Sequence, residues 1–350
     1  MLSNARIGFL LPLILLLATA ASTQQPGTPT RPPDSKIHLD VVVTPKSGAA
    51  ETGLQQQDFT LLDNGVQRPI TSFRAVTGRE TPLEVVLIVD TANTGYQNVN
   101  IVHTELDRFL RAEGGHLAQS VAIGVLSDRG MQMLGDFSSD GNVLSSELDQ
   151  NNEGIRIFRT TGGGAGAERW KLSLAGFRQI VGAEVRRPGH KVMIWVSPGW
   201  PLAGGVGRQF DSKQEQQIFA DLVNLTNRLM QSRVTLYVVD PLGAAESVIR
   251  ANDYKPYLKA VTKSNQVSVP NLALQVLAIQ SGGLVFTSSN DIAKLVQDCI
   301  ADATPYYEIS FEPPPSDHLD EYHHLEIKLA DPSLTARARQ GYYAQSARTN

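Results

Sequence analysis

A continuous apolar segment, Leu83–Val89 (LEVVLIV), stands at the head of a long series of alternating strand-like and helix-like patterns. A run of aliphatic residues of this length is typical of a strand that is buried on both faces of a parallel sheet. The patterns that follow predict helices at 98–111, 142–148, 167–181, 211–231, 271–280 and 291–303, and strands at 120–126, 131–137, 191–196, 234–239 and 284–286. This alternation predicts a doubly wound, mostly parallel α/β sheet of the Rossmann type over residues 82–304.

Strand-like patterns also lie on both sides of the α/β region. The segment at 37–44 (IHLDVVVT) alternates apolar and polar residues, and an Asn64-Gly65 turn predicts a hairpin between 59–62 and 69–76. Alternation returns at 306–311, 322–329 and 335–343, and we interpret the polar cluster 317–324 as a solvated turn. Because two or three strands alone are marginally stable, we expect segments 37–81 and 305–345 to form one small β-domain into which the α/β domain is inserted.

The first twenty residues have the pattern of a secretory signal peptide. One basic residue, Arg6, precedes the apolar run Ile7–Ala18, and the triplet Ala18-Thr19-Ala20 provides a small-x-small cleavage pattern. Residues 21–36 are rich in Gln, Pro and Thr, which predicts a flexible tether. We therefore expect an exported protein, periplasmic or secreted, with no stable membrane insertion after cleavage. An uncleaved N-terminal anchor is the alternative.

Charge and cysteine content narrow the classes of partner. The chain has 31 basic and 35 acidic residues and a net charge of -4, so it lacks the basic excess that nucleic acid binding requires. We expect a protein partner and no nucleic acid.

The single cysteine of the chain, Cys299, excludes an intramolecular disulfide and a Cys-based zinc site. Cys299 lies on the apolar face of a predicted helix, which indicates a buried thiol.

Several ordered segments carry a family resemblance. They are Gly53-Leu54, Asp58-Phe59, Asn64-Gly65 and Ile70 with Phe73 in the first β-segment, PLEVVLIVDTANT at 82–94, LAIQSGGLVFTSSNDIAKLVQDCIADATPYYEISFEPP at 277–314, and ARARQGYYA at 336–344. Over about residues 37–344 the chain resembles the exported von Willebrand factor A (VWA)-related proteins of acidobacterial type. The resemblance implies a VWA-like domain and a role in adhesion or protein interaction, and it names no ligand.

The same resemblance implies a Mg²⁺ site after the first strand of the α/β domain, built on an Asp-x-Ser-x-Ser motif with a Thr and an Asp from two further loops. Mg²⁺ prefers six hard oxygen ligands in octahedral geometry. In this chain Asp90 and Thr94 retain oxygen ligands, but Ala92 offers none, and the loop expected to supply the second Asp begins with Ser197. We therefore interpret Asp90 and Thr94 as a vestigial metal site, expect no cofactor, and favour a turn or helix-capping role for Asp90.

The loops at the carboxyl ends of the parallel strands are the expected partner-binding rim, because open α/β sheets bind ligands there. Asn93, Thr161, Ser197 and Trp200 belong to this rim, with Thr160 or Thr161 as the candidate second-loop Thr. The glycine-rich run at 162–167 predicts a mobile loop, since a dinucleotide fingerprint belongs in the first strand–helix turn. Trp200, between Gly199 and Pro201, either anchors a partner or packs beneath its own loop.

The chain contains no Gly-x-Ser-x-Gly, His-Glu-x-x-His or other recognisable nucleophile–base motif. We predict a non-enzymatic, exported protein-interaction or adhesion module of bacterial type with a degenerate metal site. Two alternatives stay open. One is a Mg²⁺-dependent adhesion domain that uses the minimal Asp90 and Thr94 site, and the other is a hydrolase acting in the same crevice.

Overall fold

The computed structural model describes residues 36–46, 52–77, 83–151, 165–201, 210–243, 253–287, 289–316 and 318–345. The predicted signal peptide, all of the predicted tether except Lys36, and the glycine-rich run before Ala165, with Thr160 and Thr161, lie outside these ranges. Within them, no helix has both the length and the apolar composition needed to cross a membrane.

The strands and helices are numbered along the chain. The strands are β1 (Ile37–Pro45), β2 (Phe59–Asp63), β3 (Val66–Arg68), β4 (Ser72–Val76), β5 (Glu84–Asp90), β6 (His116–Ser127), β7 (Gly130–Met133), β8 (Ser138–Asp140), β9 (Lys191–Val196), β10 (Val234–Val239), β11 (Val285–Phe286), β12 (Tyr306–Phe311), β13 (Tyr322–Leu329), β14 (Leu334–Arg337) and β15 (Gly341–Tyr343). The helices are α1 (Tyr96–Leu110), α2 (Gly141–Gln150), α3 (Ala165–Glu184), α4 (Ser212–Gln231), α5 (Leu274–Gln280) and α6 (Ile292–Asp302).

A seven-stranded sheet forms the α/β region. Its order is β7-β6-β5-β9-β10-β11, and β8 also pairs with β6. Strands β6, β5, β9, β10 and β11 are parallel, whereas β7 and β8 run antiparallel to β6. The predicted α/β class with a mostly parallel sheet is therefore confirmed. Starting from β5, the chain adds β6, β7 and β8 on one side of the sheet. It then crosses to the other side, where it adds β9, β10 and β11, so the strand order reverses between β5 and β9.

Helices cover both faces of this sheet. Val86 and Ile88 of β5 pack with α3, α4 and α5 on one face, and Val85, Leu87 and Val89 pack with α1, α2 and α6 on the other. Successive strand residues point to opposite faces, and all five of these side chains are therefore buried. This burial on both faces accounts for the uninterrupted apolar sequence of β5.

The strands before and after the α/β region form a β-sandwich of two antiparallel four-stranded sheets. Their orders are β14-β1-β12-β4 and β15-β13-β2-β3. Strand β1 pairs with β12, with Ile37 opposite Phe311, and β2 pairs with β13, with Phe59 opposite Leu329. The apolar cluster between the sheets draws on both ends of the chain. Neither end has a complete core without the other.

The sandwich and the α/β region meet around the end of α4. Arg233, whose φ of 50° is in the left-handed region, pairs with Asp40 of β1 and, through Nη1 at 2.8 Å, with Glu308 of β12. Asn227 Oδ1 of α4 accepts a hydrogen bond from the backbone N–H of Tyr343 at 3.2 Å. These polar contacts fix the sandwich against α4.

His190, which is buried where β9 and β10 meet the sandwich, makes stability depend on pH. Burial lowers the pKa of its imidazole below the ordinary value of about 6.5; Arg233 and Lys191 lower it further, and Asp40 and Glu308 oppose the shift. Acidification through about pH 6.5 therefore protonates the unfolded chain before the folded one, and stability falls as pH falls below this value. One such proton contributes a slope of up to about 1.4 kcal/mol per pH unit.

We expect His190→Gln to remove this slope. Urea unfolding at about pH 7.5 and about pH 5.5 should show a loss of stability that is about 1 kcal/mol smaller in the variant than in the unmodified protein. Equal losses in the two proteins would contradict a role for His190 in the pH dependence.

The buried position predicted for Cys299 is confirmed, since its side chain is 0% exposed between α6 and the sheet. Burial, followed by the charges of Asp302 and Asp298, raises the pKa of the thiol well above its ordinary value. We expect a disulfide reagent such as DTNB to modify the folded protein at least about 100-fold more slowly than the urea-unfolded chain. Cys299→Ser provides the blank, and equal rates in the two states would contradict the burial.

Candidate functional site at the carboxyl edge of the sheet

The reversal of strand order between β5 and β9 marks a crevice at the carboxyl edge of the sheet. In open α/β sheets, ligands bind outside the carboxyl ends of the strands at this position. Asp90 is the last residue of β5, and Ser197 directly follows β9. The structure therefore brings two of the sequence-predicted site residues to one place.

The carboxylate of Asp90 is 1% exposed and accepts hydrogen bonds on both oxygens. Oδ2 accepts from Ser197 Oγ at 2.8 Å and from Trp195 Nε1 at 3.2 Å. Oδ1 accepts from the backbone N–H of Asn93 at 3.0 Å, and the side-chain Nδ2 of Asn93 lies 3.0 Å from Oδ1 and 2.8 Å from Oδ2. All of these donors are uncharged, and no cationic side chain of the described ranges forms an ion pair with Asp90.

Burial raises the pKa of the Asp90 carboxyl above its ordinary value, and the hydrogen bonds from Asn93, Ser197 and Trp195 act in the opposite direction. A desolvated carboxylate is costly unless donors replace the lost water. The donors around Asp90 meet this need and join the ends of β5 and β9. In this structure Asp90 is a cross-link between strands.

Asn93 ties the loop after β5 to helix α3. Its position three residues after Asp90 allows its backbone N–H to close a turn on that carboxylate, as is usual for Asp at the first position of a turn. Its Nδ2 also donates to Ser173 Oγ at 2.8 Å, and Ser173 in turn donates to the carbonyl of Arg169. The loop is held on its other side by the backbone N–H groups of Thr91 and Ala92, which donate to the carbonyl of Leu126 at the end of β6.

Trp200 is 4% exposed, so the interpretation of this side chain as an exposed anchor is wrong. Its ring packs edge to face on Phe177 at 5.5 Å and on Trp195 at 5.7 Å between centroids. The turn before it is formed by Gly199, whose φ of 101° favours glycine and whose Cα lies against the amide of Gln275. Trp200 therefore packs beneath its own loop, which is the alternative that the sequence left open.

A cavity of about 390 Å³ opens beside this loop. This volume falls in the range typical of ligand sites. The described lining consists of Asn93, Arg169, Pro198, Gly199, Trp200, Pro201, Asp253, Tyr254, Ala273 and Gln275.

Sequence reasoning missed Arg169, Asp253, Tyr254 and Gln275, because they come from segments far apart in the chain. One signal was present: Gln275 interrupts an apolar run in α5, with Leu274 before it and residues 276–279 after it. It is buried and donates from Nε2 to the carbonyl of Pro198 at 3.2 Å.

The exposed aromatic residue at this edge is Tyr96. It is the first residue of α1, three positions after Asn93, and it is 56% exposed. The exposed residues of α1 that follow it as far as Thr104 are all uncharged, namely Gln97, Asn100, Ile101 and Thr104. Exposed Tyr and a lack of charge are typical of the centres of protein interfaces.

The residues at the end of β5 do not fit a Mg²⁺ ion. Ala92 packs into the apolar core and offers no oxygen, and Ser197 stands where a carboxylate is needed. The oxygens of Asp90 are directed at N–H and O–H donors, and Thr161 lies outside the described residues. Within the described ranges no three His, Cys, Asp or Glu side chains are grouped as metal ligands.

No family model matches the chain, and no curated protein matches it. Among solved structures it is similar to a mutant of the PilB minor pilin from Streptococcus sanguinis, with 11% identity over 75% of this chain and 78% of that chain and a TM-score of 0.37. It is also similar to the TFIIH p34 N-terminal domain, with 12% identity, 64% and 98% coverage and a TM-score of 0.32. The SpRpn10 VWA domain gives 10% identity, 63% and 97% coverage and a TM-score of 0.32. These are weak likenesses, and the fold described above rests on the strand order itself.

Proposed function

We propose that this chain is an exported, non-enzymatic protein-interaction module with a VWA-like α/β domain, and that the loops at the carboxyl edge of its sheet bind a protein partner without a metal ion. The observation that carries the proposal is the cavity of about 390 Å³ at the reversal of strand order. It lies beside loops that the chain's own hydrogen bonds to Asp90 hold in place. The signal-peptide pattern of residues 1–20 supports export.

The chemistry of the rim supports a protein partner. Tyr96 is exposed three residues after Asn93, and Asn93 lines the cavity together with Pro198, Pro201 and Tyr254. An exposed Tyr next to a concavity walled in part by Pro and aromatic side chains is the arrangement in which interface hot spots occur, and Arg169 and Asp253 add one charge of each sign to its walls. The described lining contains no Ser, Cys or His, so it offers none of the usual nucleophile–base pairs.

One observation favours the alternative of Mg²⁺-dependent adhesion. Thr94 Oγ1 is buried, and no hydrogen-bond partner for it is found among the described residues. A hydroxyl oxygen without a hydrogen-bond partner can coordinate a metal ion, and the minimal site requires Thr94 together with Asp90. Chelation of divalent cations therefore distinguishes metal-free partner binding, which should persist, from Mg²⁺-dependent adhesion, which should be lost.

Capture of partners with matched variants tests the proposal. The purified mature chain, Tyr96→Asp and Val185→Asp would be immobilised and exposed to envelope and medium proteins of the source cells, with and without EDTA. Val185, 39% exposed directly after α3, is the control because it lies at the opposite edge of the sheet. We expect a protein that is retained by the unmodified chain and by Val185→Asp, is reduced at least about tenfold by Tyr96→Asp, and is insensitive to EDTA.

Three results would overturn the proposal. If Tyr96→Asp retained the partner as well as the unmodified chain does, the rim would not be the binding surface. If EDTA abolished retention, the metal-dependent alternative would be established. Turnover of generic esters or phosphates by the same preparation would establish the hydrolase.

A further inference from the structure

The side-chain amide of Asn93 lies in an unusual setting of oxygens. Its Nδ2 is 2.8 Å from Asp90 Oδ2, 3.0 Å from Asp90 Oδ1 and 2.8 Å from Ser173 Oγ. One nitrogen with two hydrogens thus contacts three oxygens, two of which belong to a buried carboxylate. This environment is rich in hard oxygen donors and contains an anion, as cation sites do.

One further hydroxyl belongs to the same network, and a second is carried by the residue that follows Asn93. Ser197 Oγ donates to Asp90 Oδ2 at 2.8 Å. Thr94, the residue after Asn93, has a buried Oγ1 for which the described part of the chain provides no hydrogen-bond partner. The oxygens of Asp90, Ser173 and Ser197 come from the end of β5, from α3 and from the loop after β9, so whatever lies among them joins three elements.

We infer that the amide of Asn93 takes the place of a cation in this crevice. Its partly positive hydrogens balance the Asp90 carboxylate and tie the loop after β5 to α3. Because the amide is covalently attached, the loops keep their arrangement whatever the concentration of divalent ions. The oxygens of Asp90 are thus already engaged by a side chain of the protein, in addition to the missing ligands at Ala92 and Ser197.

The inference goes beyond the proposed function, because it concerns what holds the crevice and stands whether or not the crevice binds a protein. It has a direct consequence. Removal of the amide should leave a buried carboxylate and several hydroxyl oxygens facing an unfilled space, and that space should accept a cation.

Two variants and one control test this consequence. Asn93→Ala removes the amide, and Asn93→Asp replaces it with a second carboxylate of the same shape. Asn100→Ala is the control, because Asn100 is an exposed residue of α1. Melting temperatures would be measured in EDTA and in millimolar Mg²⁺, Ca²⁺ and Mn²⁺. Broadening of the indole N–H resonance of Trp195 by Mn²⁺ would be recorded by NMR, since Trp195 Nε1 donates to Asp90, and a spectrum in diamagnetic Mg²⁺ provides the reference.

We expect the unmodified protein and Asn100→Ala to respond to no cation, with the Trp195 resonance as sharp in Mn²⁺ as in Mg²⁺. Asn93→Ala and Asn93→Asp should melt about 4 °C or more below the unmodified protein in EDTA. At least one divalent cation should restore half or more of that loss, and Mn²⁺, but not Mg²⁺, should broaden the Trp195 resonance. If Asn93→Ala does not fold, Asn93→Asp alone decides.

The inference is overturned by either of two results. Selective broadening of Trp195 in the unmodified protein would show that the amide does not exclude a cation. Failure of every cation to stabilise Asn93→Asp would show that these oxygens form no cation site. Neither result bears on whether Tyr96 is needed for capture of a partner.

Discussion

Replacement of Asp90 by alanine is expected to lower the free energy of unfolding by about 3–5 kcal/mol. The substitution removes the acceptor shared by Asn93, which is half-buried, and by Trp195 and Ser197, which are both 0% exposed. Each buried donor left without an acceptor costs about 1–3 kcal/mol. Urea unfolding followed by far-UV circular dichroism measures the change.

Asp253→Ala is the matched control, because this carboxylate lines the same cavity and is exposed. We expect its effect to remain within about 0.5 kcal/mol. The result also separates two roles for Asp90. A residue that only held a metal for adhesion would lose partner binding on substitution and keep its stability, whereas a cross-link between β5 and β9 loses stability first. A loss below about 1 kcal/mol in Asp90→Ala would contradict the cross-link.

Much of the α/β region can be predicted from sequence because its signals are local. The strand predicted at 83–89 is β5, and the helix predicted at 167–181 is part of α3. The helix predicted at 271–280 begins only at Leu274, since Val269–Leu272 forms a separate 3-10 turn whose boundary the apolar pattern does not mark. The strand predicted at 131–137 ends at Met133 in β7, and β8 begins only at Ser138, beyond the predicted range.

The positions of some residues of the candidate site can likewise be predicted from local sequence signals, whereas those of others depend on distant parts of the chain. Asp90, Asn93 and Ser197 can be placed together because parallel strands present their carboxyl ends at one edge. The burial of Trp200 cannot be predicted, since it depends on Phe177 and Trp195 meeting it across two other elements. Composition does not encode such packing.

The C-terminal strands also contain a residue whose burial cannot be predicted from the sequence. His323 belongs to a polar cluster that resembles a solvated turn in sequence, yet it is 5% exposed on β13. Its Nδ1 lies 2.7 Å from Oδ1 of Asp63, a residue 260 positions away that is itself 0% exposed at the end of β2. A contact of this kind leaves no periodic signal, and the interpretation of His323 as solvated is wrong.

We expect Asp63→Ala to lower the free energy of unfolding by about 3–4 kcal/mol, because its carboxylate joins the two ends of the chain inside the sandwich. Besides His323, it accepts a hydrogen bond from the hydroxyl of Tyr342 on β15 at 3.0 Å. Burial, and then Asp63, raise the pKa of this phenol above its ordinary value, so it remains a donor at neutral pH. The His323 and Tyr342 rings also stack, with centroids 4.8 Å apart.

Two controls resolve this loss into its parts. Tyr342→Phe removes one hydrogen bond and should cost about 1 kcal/mol, and Glu326→Ala, exposed on β13, should change stability by less than about 0.5 kcal/mol. If Asp63→Ala costs no more than Tyr342→Phe, the carboxylate does not hold the sandwich together. If Asp63→Ala costs the full loss expected, removal of the first β-segment would leave the buried polar groups of His323 and Tyr342, in the last β-segment, without their partner. The sandwich then folds only when both ends of the chain are present, and the α/β region between them is held at both of its ends.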